Sequence, residues 1–223
     1  MRSISLQQAP MTTDHDPHDH HDDGDGQHDH HDDGDGQHDH HDDGDGQHDH
    51  HDDDHHHDDH HQHDVSSLAA GIITVSSSRT AADDPAGDAI ASILEAEGHE
   101  IARREHVGDD HDRVQQLAQQ LLSDDAIELL VTTGGTGVTA DDVTIEAVRP
   151  LFDRELPGFG ELFRHLSYDE IGSRVVGTRA TAGVASGVPV FCLPGSENAV
   201  RLATEAIIVP EAGHLAGLAT RHE

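Results

Sequence analysis

The chain contains no lysine. All 12 of its basic residues are arginine, against 46 aspartates and glutamates, so the 223 residues carry a formal net charge of −34 at pH 7. Binding to nucleic acid depends on clustered lysine and arginine, and a chain this acidic offers no such patch. The composition therefore predicts a protein with no nucleic-acid partner.

Cysteine and long apolar runs are also scarce. The single cysteine, Cys192, excludes an intrachain disulfide and a cysteine-based zinc site, and its place inside an apolar segment favours a packing role. No segment approaches the ~20 consecutive apolar residues of a membrane span, and the N-terminus has no apolar signal core. We therefore expect a cytoplasmic protein with no membrane partner.

The first 64 residues differ in composition from the rest. They hold 19 of the 25 histidines, 21 of the 46 acidic residues and one arginine, and almost no apolar side chain follows Met11. The unit HDHHDDGDGQ occurs at 18–27, 28–37 and 38–47, and its first six residues recur at 48–53. Such a segment buries too little apolar surface to offset the entropy of ordering. We predict a disordered tail over 1–64, followed by one folded domain over 65–223.

Histidine beside aspartate makes the tail a candidate site for a transition metal. Imidazole and carboxylate groups together bind Zn²⁺, Ni²⁺, Co²⁺ or Cu²⁺. The candidate ligands include the paired histidines of the repeats, His20, His21, His30, His31, His40 and His41. Metal storage and metal delivery are both open as functions, and the structural alternative is a solvating tail expanded from a short repeat.

From Ala70 onwards, short apolar segments alternate with segments of helical periodicity. The predicted buried strands cover residues 71–77, 100–106, 127–133 and 188–193. The predicted helices begin at Pro85 after an Asp84 cap, at a Thr144 cap (to about Phe152), at Pro157, near Asn198 and after Pro210. One more amphipathic helix is marked by the apolar residues Val114, Leu117, Ala118, Leu121 and Leu122. Continuously apolar strands between helices predict an α/β fold, a three-layer sandwich whose mostly parallel sheet has helices on both faces.

Two glycine-rich loops directly follow predicted strands. They are TTGGTGVTADDVT, residues 132–144, and CLPGSEN, residues 192–198. In open parallel sheets, ligands bind at the carboxyl ends of the strands, and glycines there let backbone N–H groups approach an anion. One such loop alone is more often a tight turn. Two at the same edge of the sheet favour a phosphate or pterin site.

Four aspartates follow the strands at this edge. Asp109 and Asp110 come after the second strand, and Asp141 and Asp142 come after the first glycine loop. Carboxylates beside phosphates are useful when they hold Mg²⁺, which neutralises developing charge. The alternative is capping of the following helices, which we favour for Asp110 and Asp141.

The motifs GGTG, DVT, PGFGE and LPGS, in this order and spacing, resemble the MoaB/MogA family of molybdenum cofactor synthesis. The likeness covers about residues 71–215. It implies the molybdopterin-binding fold, assembly as a homo-trimer or hexamer, and transfer of AMP from Mg-ATP to the terminal phosphate of molybdopterin. It also implies a MoeA-type partner enzyme that inserts molybdate or tungstate. The lysine-free, acidic composition predicts a halophilic, haloarchaeal member, with a GC-rich, lysine-poor genome as the alternative explanation.

The resemblance also assigns roles to residues. Asp109 and Asp142 match catalytic carboxylates that handle Mg²⁺. The residues matched to cofactor or phosphate binding are Gly134, Gly135, Thr136, Gly137, Glu161, Thr178, Arg179, Pro194, Gly195 and Ser196. Relatives often read VSDxR in the first loop, whereas this chain reads VSSSR over 75–79, with Ser77 in place of the aspartate. Ser77 therefore leaves a non-catalytic molybdopterin carrier as one alternative to the enzyme, and the histidine-rich tail leaves a metal buffer as another.

Overall fold

The computed structural model describes residues 65–80 and 82–220 of the chain. The histidine-rich segment 1–64, predicted to be a tail, lies outside these residues, so that prediction and its metal ligands are not tested by the fold. Within the described residues, no helix is both long and apolar enough to cross a bilayer.

Six strands form one sheet in the order β2-β1-β3-β6-β5-β4. The strands are β1 Ala69–Val75, β2 Glu100–Val107, β3 Leu129–Thr133, β4 Arg154–Glu155, β5 Thr181–Ala185 and β6 Val188–Leu193. The four predicted strands are β1, β2, β3 and β6, and every pairing among them is parallel. The prediction of a mostly parallel α/β sheet is confirmed.

The antiparallel edge made by β5 and β4 was not predicted. Strand β5 pairs with β6 through a two-residue turn in which Ser186 has φ 51° and Gly187 has φ 79°, as a tight hairpin requires. The sequence of β5, TAGVA, holds two alanines and a glycine, which are poor strand formers, and β4 has only two residues. Packing against the rest of the sheet therefore decides these two strands, and their own residues give little signal.

Helices cover both faces of the sheet. They are α1 Pro85–Ala96, α2 His111–Leu122, α3 Thr144–Val148, α4 Pro157–Ile171, α5 Glu197–Ala203 and α6 Val209–Ala219. Successive residues of a strand point to opposite faces, so Ala70 and Ile72 enter one core with α1, α4, α5 and α6. Ile73 and Val75 enter the other core with α2 and α3. This is the predicted three-layer arrangement.

Two predicted helix boundaries are wrong. Thr144 is the first residue inside α3 and not its cap, and the helix gives way to a 3₁₀ turn at Arg149–Leu151. The last helix does not start afresh after Pro210, because α5 continues into α6 through a π-helical turn at Thr204–Ile208. The proline ring crowds the carbonyl four residues back, and a widened turn before Pro210 gives the ring room.

Candidate functional site

A cavity of about 570 Å³ opens at the carboxyl ends of the parallel strands. Ten of the twelve site residues predicted in the domain line it: Asp109, Gly134, Gly135, Thr136, Gly137, Asp142, Thr178, Pro194, Gly195 and Ser196. They come from the loops that follow β2, β3 and β6 and from the segment before β5. The sheet topology therefore brings together segments that are far apart in the sequence.

The glycines allow the loops after β1, β3 and β6 to touch. Gly134 has φ +93°, and a Cβ atom there would lie 2.1 Å from the carbonyl oxygen of Val75. Its N–H donates to the carbonyl of Leu193 at 3.0 Å. A Cβ atom on Gly195 would lie 3.2 Å from the Cα atom of Gly134. A side chain at Gly134 would force the loops apart and change the wall of the cavity, whereas one at Gly195 would need Gly134 to shift by only a few tenths of an ångström.

Thr144 fixes the first glycine loop through two hydrogen bonds. Its hydroxyl donates to the carbonyl of Gly134 at 2.7 Å, and its N–H donates to the carbonyl of Gly135 at 2.9 Å. The side chain is fully buried, so both bonds are shielded from water. A threonine that the sequence presented as a helix cap thus fixes the path of the backbone that lines the cavity.

Asp142 is held as an ionised carboxylate at the mouth of this loop. Its Oδ2 accepts hydrogen bonds from the N–H and the hydroxyl of Thr139, at 2.8 and 2.6 Å. Partial burial opposes ionisation, but the bonds from Thr139, a bond from the Gly137 backbone and the charge of Arg179 outweigh it and lower the pKa of Asp142. The group is negatively charged over the whole neutral range.

Asp109 and Ser77 form a reciprocal pair that joins the loops after β2 and β1. The N–H of Ser77 donates to Asp109 Oδ2 at 2.8 Å, and the N–H of Asp109 donates to Ser77 Oγ at 2.9 Å. The pair satisfies two backbone donors where the strands end. One oxygen of the carboxylate is thus committed to the fold, and Oδ1 is the oxygen that can serve a ligand.

The donor set of the cavity fits a magnesium ion that arrives with a phosphate substrate. Within the part of the chain that the structure describes, no three His, Cys, Asp or Glu side chains meet as a preformed metal cluster. Mg²⁺ rarely uses an all-protein cage and is commonly held by one or two carboxylates together with substrate phosphates and water. Asp109 and Asp142 are the two carboxylates that would hold it.

The two neighbouring aspartates have different surroundings. Asp110 caps α2 by accepting from the N–H of Arg113 at 3.0 Å, which confirms its predicted role. The capping role predicted for Asp141 is wrong, because α3 has Val143 at its cap position and no side-chain cap bond. Asp141 is exposed and lines the cavity instead.

Glu161 and Arg179 do not line this cavity. Glu161 is exposed on α4. Arg179 donates to both oxygens of Glu146, at 2.5 and 3.3 Å, and to the carbonyl of Asp142 at 3.2 Å. It borders a neighbouring cavity of about 500 Å³ that also includes His111. Arg179 therefore braces the glycine loop from outside, which the sequence did not indicate.

Comparison with known proteins decides the family. A family model described as a probable molybdopterin binding domain matches residues 71–214, which is most of the described chain. The chain belongs to this family. A molybdenum cofactor biosynthesis protein B from Bacillus subtilis (strain 168) is 48% identical over 145 residues, which is 65% of this chain and 85% of the relative.

Solved structures of the MoaB/MogA family share the fold. A crystal structure of a molybdenum cofactor biosynthesis protein B has a TM-score of 0.68 at 40% identity and covers 71% of this chain and 99% of its own. The tungsten cofactor synthesizing protein MoaB from Pyrococcus furiosus has a TM-score of 0.64, also at 40% identity, covering 70% and 99%. The family and the fold expected from the sequence motifs are both confirmed.

Arg79, the last residue of VSSSR, is not among the site residues predicted from the sequence, yet it lines the cavity of this family member. Ser76 and Ser78 line it too, whereas Ser77 is turned to Asp109. The available signal was the position of the whole segment, at the carboxyl end of a central parallel strand, where ligands bind.

Proposed function

We propose that this chain works in the biosynthesis of the molybdenum or tungsten cofactor, binds molybdopterin in the cavity and transfers AMP to it from Mg-ATP. One observation supports this most: two glycine loops and two carboxylates, separated in the sequence, line one cavity in a chain of the molybdopterin-binding family. The volume suits a pterin with its phosphate, since small-molecule sites commonly span about 300–1,000 Å³.

The reaction requires the protein to position two phosphates and to offset their charge. An oxygen of the terminal phosphate of molybdopterin attacks the α-phosphorus of ATP, the bond from that phosphorus to the bridging oxygen breaks, and pyrophosphate leaves. The attacking oxygen is already ionised, so no strong general base is required. Rigid loops that hold the two phosphates in line would make the main contribution to the rate of the transfer. The bond from the Gly134 N–H to the Leu193 carbonyl and the two bonds from Thr144 fix the path of this loop.

The charge of the cavity accounts for the need for magnesium. Asp109, Asp141 and Asp142 line the cavity with one cation, Arg79, which leaves a formal charge of −2 (one positive, three negative). Two phosphate substrates would be repelled from such a site. Mg²⁺ would be held by Asp109 and Asp142 and would neutralise phosphate charge, while the chain orients the substrates.

A molybdopterin carrier without catalysis is the second candidate. Ser77 favours it, because relatives often have an aspartate at this position and the serine uses both its N–H and its hydroxyl to hold Asp109. A cavity with one carboxylate fewer binds a metal ion less well. The same cavity would then hold molybdopterin and release it unchanged.

Pyrophosphate formation separates the enzyme from the carrier. The purified chain in high salt is mixed with molybdopterin and Mg-ATP, and adenylylated pterin and pyrophosphate are followed. We expect turnover that falls by about 10²-fold or more in Asp142→Asn and Asp109→Asn, a loss of the size that follows removal of a charge-stabilising group. Asp169→Asn, an exposed change on α4, is the matched control. Pterin binding with no turnover in the wild-type chain would select the carrier.

The proposal includes two kinds of partner. Adenylylated molybdopterin would pass to a MoeA-type enzyme for insertion of molybdate or tungstate, and the chain would assemble as a trimer or hexamer. Adding such an enzyme with molybdate to the assay should consume the adenylylated product. Sedimentation of the chain at high salt should give three or six copies, and a monomer would contradict the assembly.

We also propose that residues 1–64 bind transition metal ions. The support is the sequence alone: 19 histidines in this segment, six of them in the HH pairs of three identical repeats. Zn²⁺ and Ni²⁺ binding to the full chain and to a chain lacking 1–64 tests it. We expect several ions per full chain and loss of nearly all in the shortened chain, with AMP transfer retained. Equal metal content in both would contradict the proposal.

A further inference from the structure

Arg79 has an unusual position among the arginines of this acidic chain. Among the described residues that line the cavity, it is the one cationic side chain, beside three aspartates. Its guanidinium Nη1 donates to a carbonyl, that of Gly195, at 3.1 Å. By contrast, Arg104, Arg149 and Arg179 each pair with a carboxylate at 2.5–2.8 Å.

A carbonyl partner orients an arginine without neutralising it. Between the residues that the structure describes, no carboxylate lies within ion-pair distance of Arg79, although the chain carries 46 acidic residues. A guanidinium carries five N–H donors in a planar fork, and the bond to Gly195 accounts for one of them. The side chain thus keeps its positive charge and its remaining donors in a cavity that is otherwise lined by three aspartates and two glycine loops.

The backbone around Arg79 is fixed as well. Ser76 Oγ accepts hydrogen bonds from the N–H groups of Ser78 and Arg79, at 3.3 and 3.2 Å, which closes a tight turn. The N–H of Ser76 donates to the carbonyl of Val107 in β2 at 2.9 Å. The turn therefore cannot move far from the end of β1, and Arg79 is held between it and the loop after β6.

We propose that Arg79 binds a phosphoryl group of the substrates in this cavity, which deepens the proposed function and rests on it. The guanidinium fork matches phosphate oxygens, and the chain has no lysine to do the same work. The phosphoryl group belongs either to the nucleotide and its pyrophosphate product or to molybdopterin. Gly195, whose carbonyl orients the fork, is part of the second glycine loop, so one hydrogen bond couples the two walls of the site.

Binding measurements on Arg79→Gln, Arg79→Lys and a matched control test this proposal. The control is Arg154→Gln, an exposed arginine outside the cavity that changes the net charge equally. The probes are Mg-pyrophosphate, Mg-ATP, molybdopterin and a pterin without phosphate, each titrated separately in high salt. Thermal unfolding of each variant reports whether loss of the Gly195 bond disturbs the fold.

We expect Arg79→Gln to weaken the binding of at least one phosphate ligand by about 10- to 100-fold, the range for a hydrogen bond to a charged group. Binding of the phosphate-free pterin should stay unchanged. Lysine keeps the charge but loses the fork, so Arg79→Lys should fall between. Weakening of pyrophosphate and ATP alone assigns Arg79 to the nucleotide, and weakening of molybdopterin alone assigns it to the pterin phosphate.

Two outcomes overturn the proposal. In the first, every probe binds Arg79→Gln as tightly as it binds the wild-type chain. In the second, binding of the phosphate-free pterin weakens as much as binding of the phosphate ligands, which means that Arg79 only supports the Gly195 loop. Failure of the proposed function looks different, because the wild-type chain itself would then not bind molybdopterin. The pyrophosphate titration still compares the wild-type chain with Arg79→Gln in that case.

Discussion

Replacing single glycines by alanine should separate two destabilising effects at the site loop. One is the strain of a left-handed backbone, and the other is the overlap of an added Cβ atom with a neighbouring segment. Gly134 combines a positive φ of +93° with a close approach, since its Cβ would lie 2.1 Å from the Val75 carbonyl oxygen. Gly98 has a similar φ of +89° but no atom within 4 Å of its Cβ position. Gly158, in the first turn of α4, has neither feature. The three substitutions add the same methyl group in three different situations.

The stability of the folded chain should fall in the order Gly158→Ala, Gly98→Ala, Gly134→Ala. Gly158→Ala should be neutral or stabilise by up to about 1 kcal/mol, because alanine restricts the unfolded chain. Gly98→Ala should destabilise by about 1 kcal/mol, the cost of a left-handed backbone for alanine less that gain. Gly134→Ala adds an overpacking cost of about 1–3 kcal/mol. For a domain of this size, about 2 kcal/mol between Gly134→Ala and Gly98→Ala lowers the Tm by a further ~4–8 °C.

The assay is thermal unfolding at high salt, followed by circular dichroism in the three variants and the wild-type chain. Molybdopterin binding to the same samples shows whether the displaced loop also damages the cavity. If Gly134→Ala unfolds at the same temperature as Gly98→Ala, the contact with Val75 costs nothing. The argument that glycine is needed for the loops to meet would then be wrong.

Three further results are expected. Burial raises the pKa of the Cys192 thiol to about 12, so a thiol reagent at pH 8 should label it only on unfolding; fast labelling of the native chain would contradict its burial. Burial, opposed by the charge of Glu97, lowers the pKa of His99 below 6.5, and its neutral Nδ1 accepts from the Leu68 N–H at 3.1 Å. The stability that His99 contributes is therefore present above pH 6.5 and lost below it, and acid titration of His99→Asn should show a smaller loss than the wild-type chain. Ser77→Ala should lower the unfolding free energy by about 1 kcal/mol in denaturant titrations, because Asp109 loses the acceptor for its N–H; an unchanged midpoint would refute that pairing.

The parallel part of the fold was predictable because its signal is local. Strands β3 and β6 are buried along their whole length, and their apolar residues mark them before any pairing is known. The antiparallel edge was not predictable in the same way, since β4 and β5 depend on a hairpin at Ser186 and on packing partners elsewhere in the chain. The helix boundary at Pro210 was missed because a π-helical turn compensates for proline.

The site shows the same division. The glycine loops and aspartates could be placed at one edge of the sheet from the order of the strands and the resemblance to the family. The hydrogen-bond partners of those residues could not be predicted, because they depend on the paths of the loops. Ser77 bonds to Asp109, 32 residues away in the sequence, and Arg179 bonds to Glu146, 33 residues away. Arg79 was overlooked for the same reason, since nothing in VSSSR shows that its side chain crosses to Gly195.

A crystal structure of the chain with molybdopterin and Mg²⁺ tests the central claim most directly. The account predicts the pterin in the cavity between the Gly134–Gly137 and Pro194–Ser196 loops, with its terminal phosphate against these glycine loops. Asp109 and Asp142 should then face any metal ion bound with it. Molybdopterin seated in the neighbouring cavity beside His111 and Arg179, with the glycine loops untouched, would contradict the account.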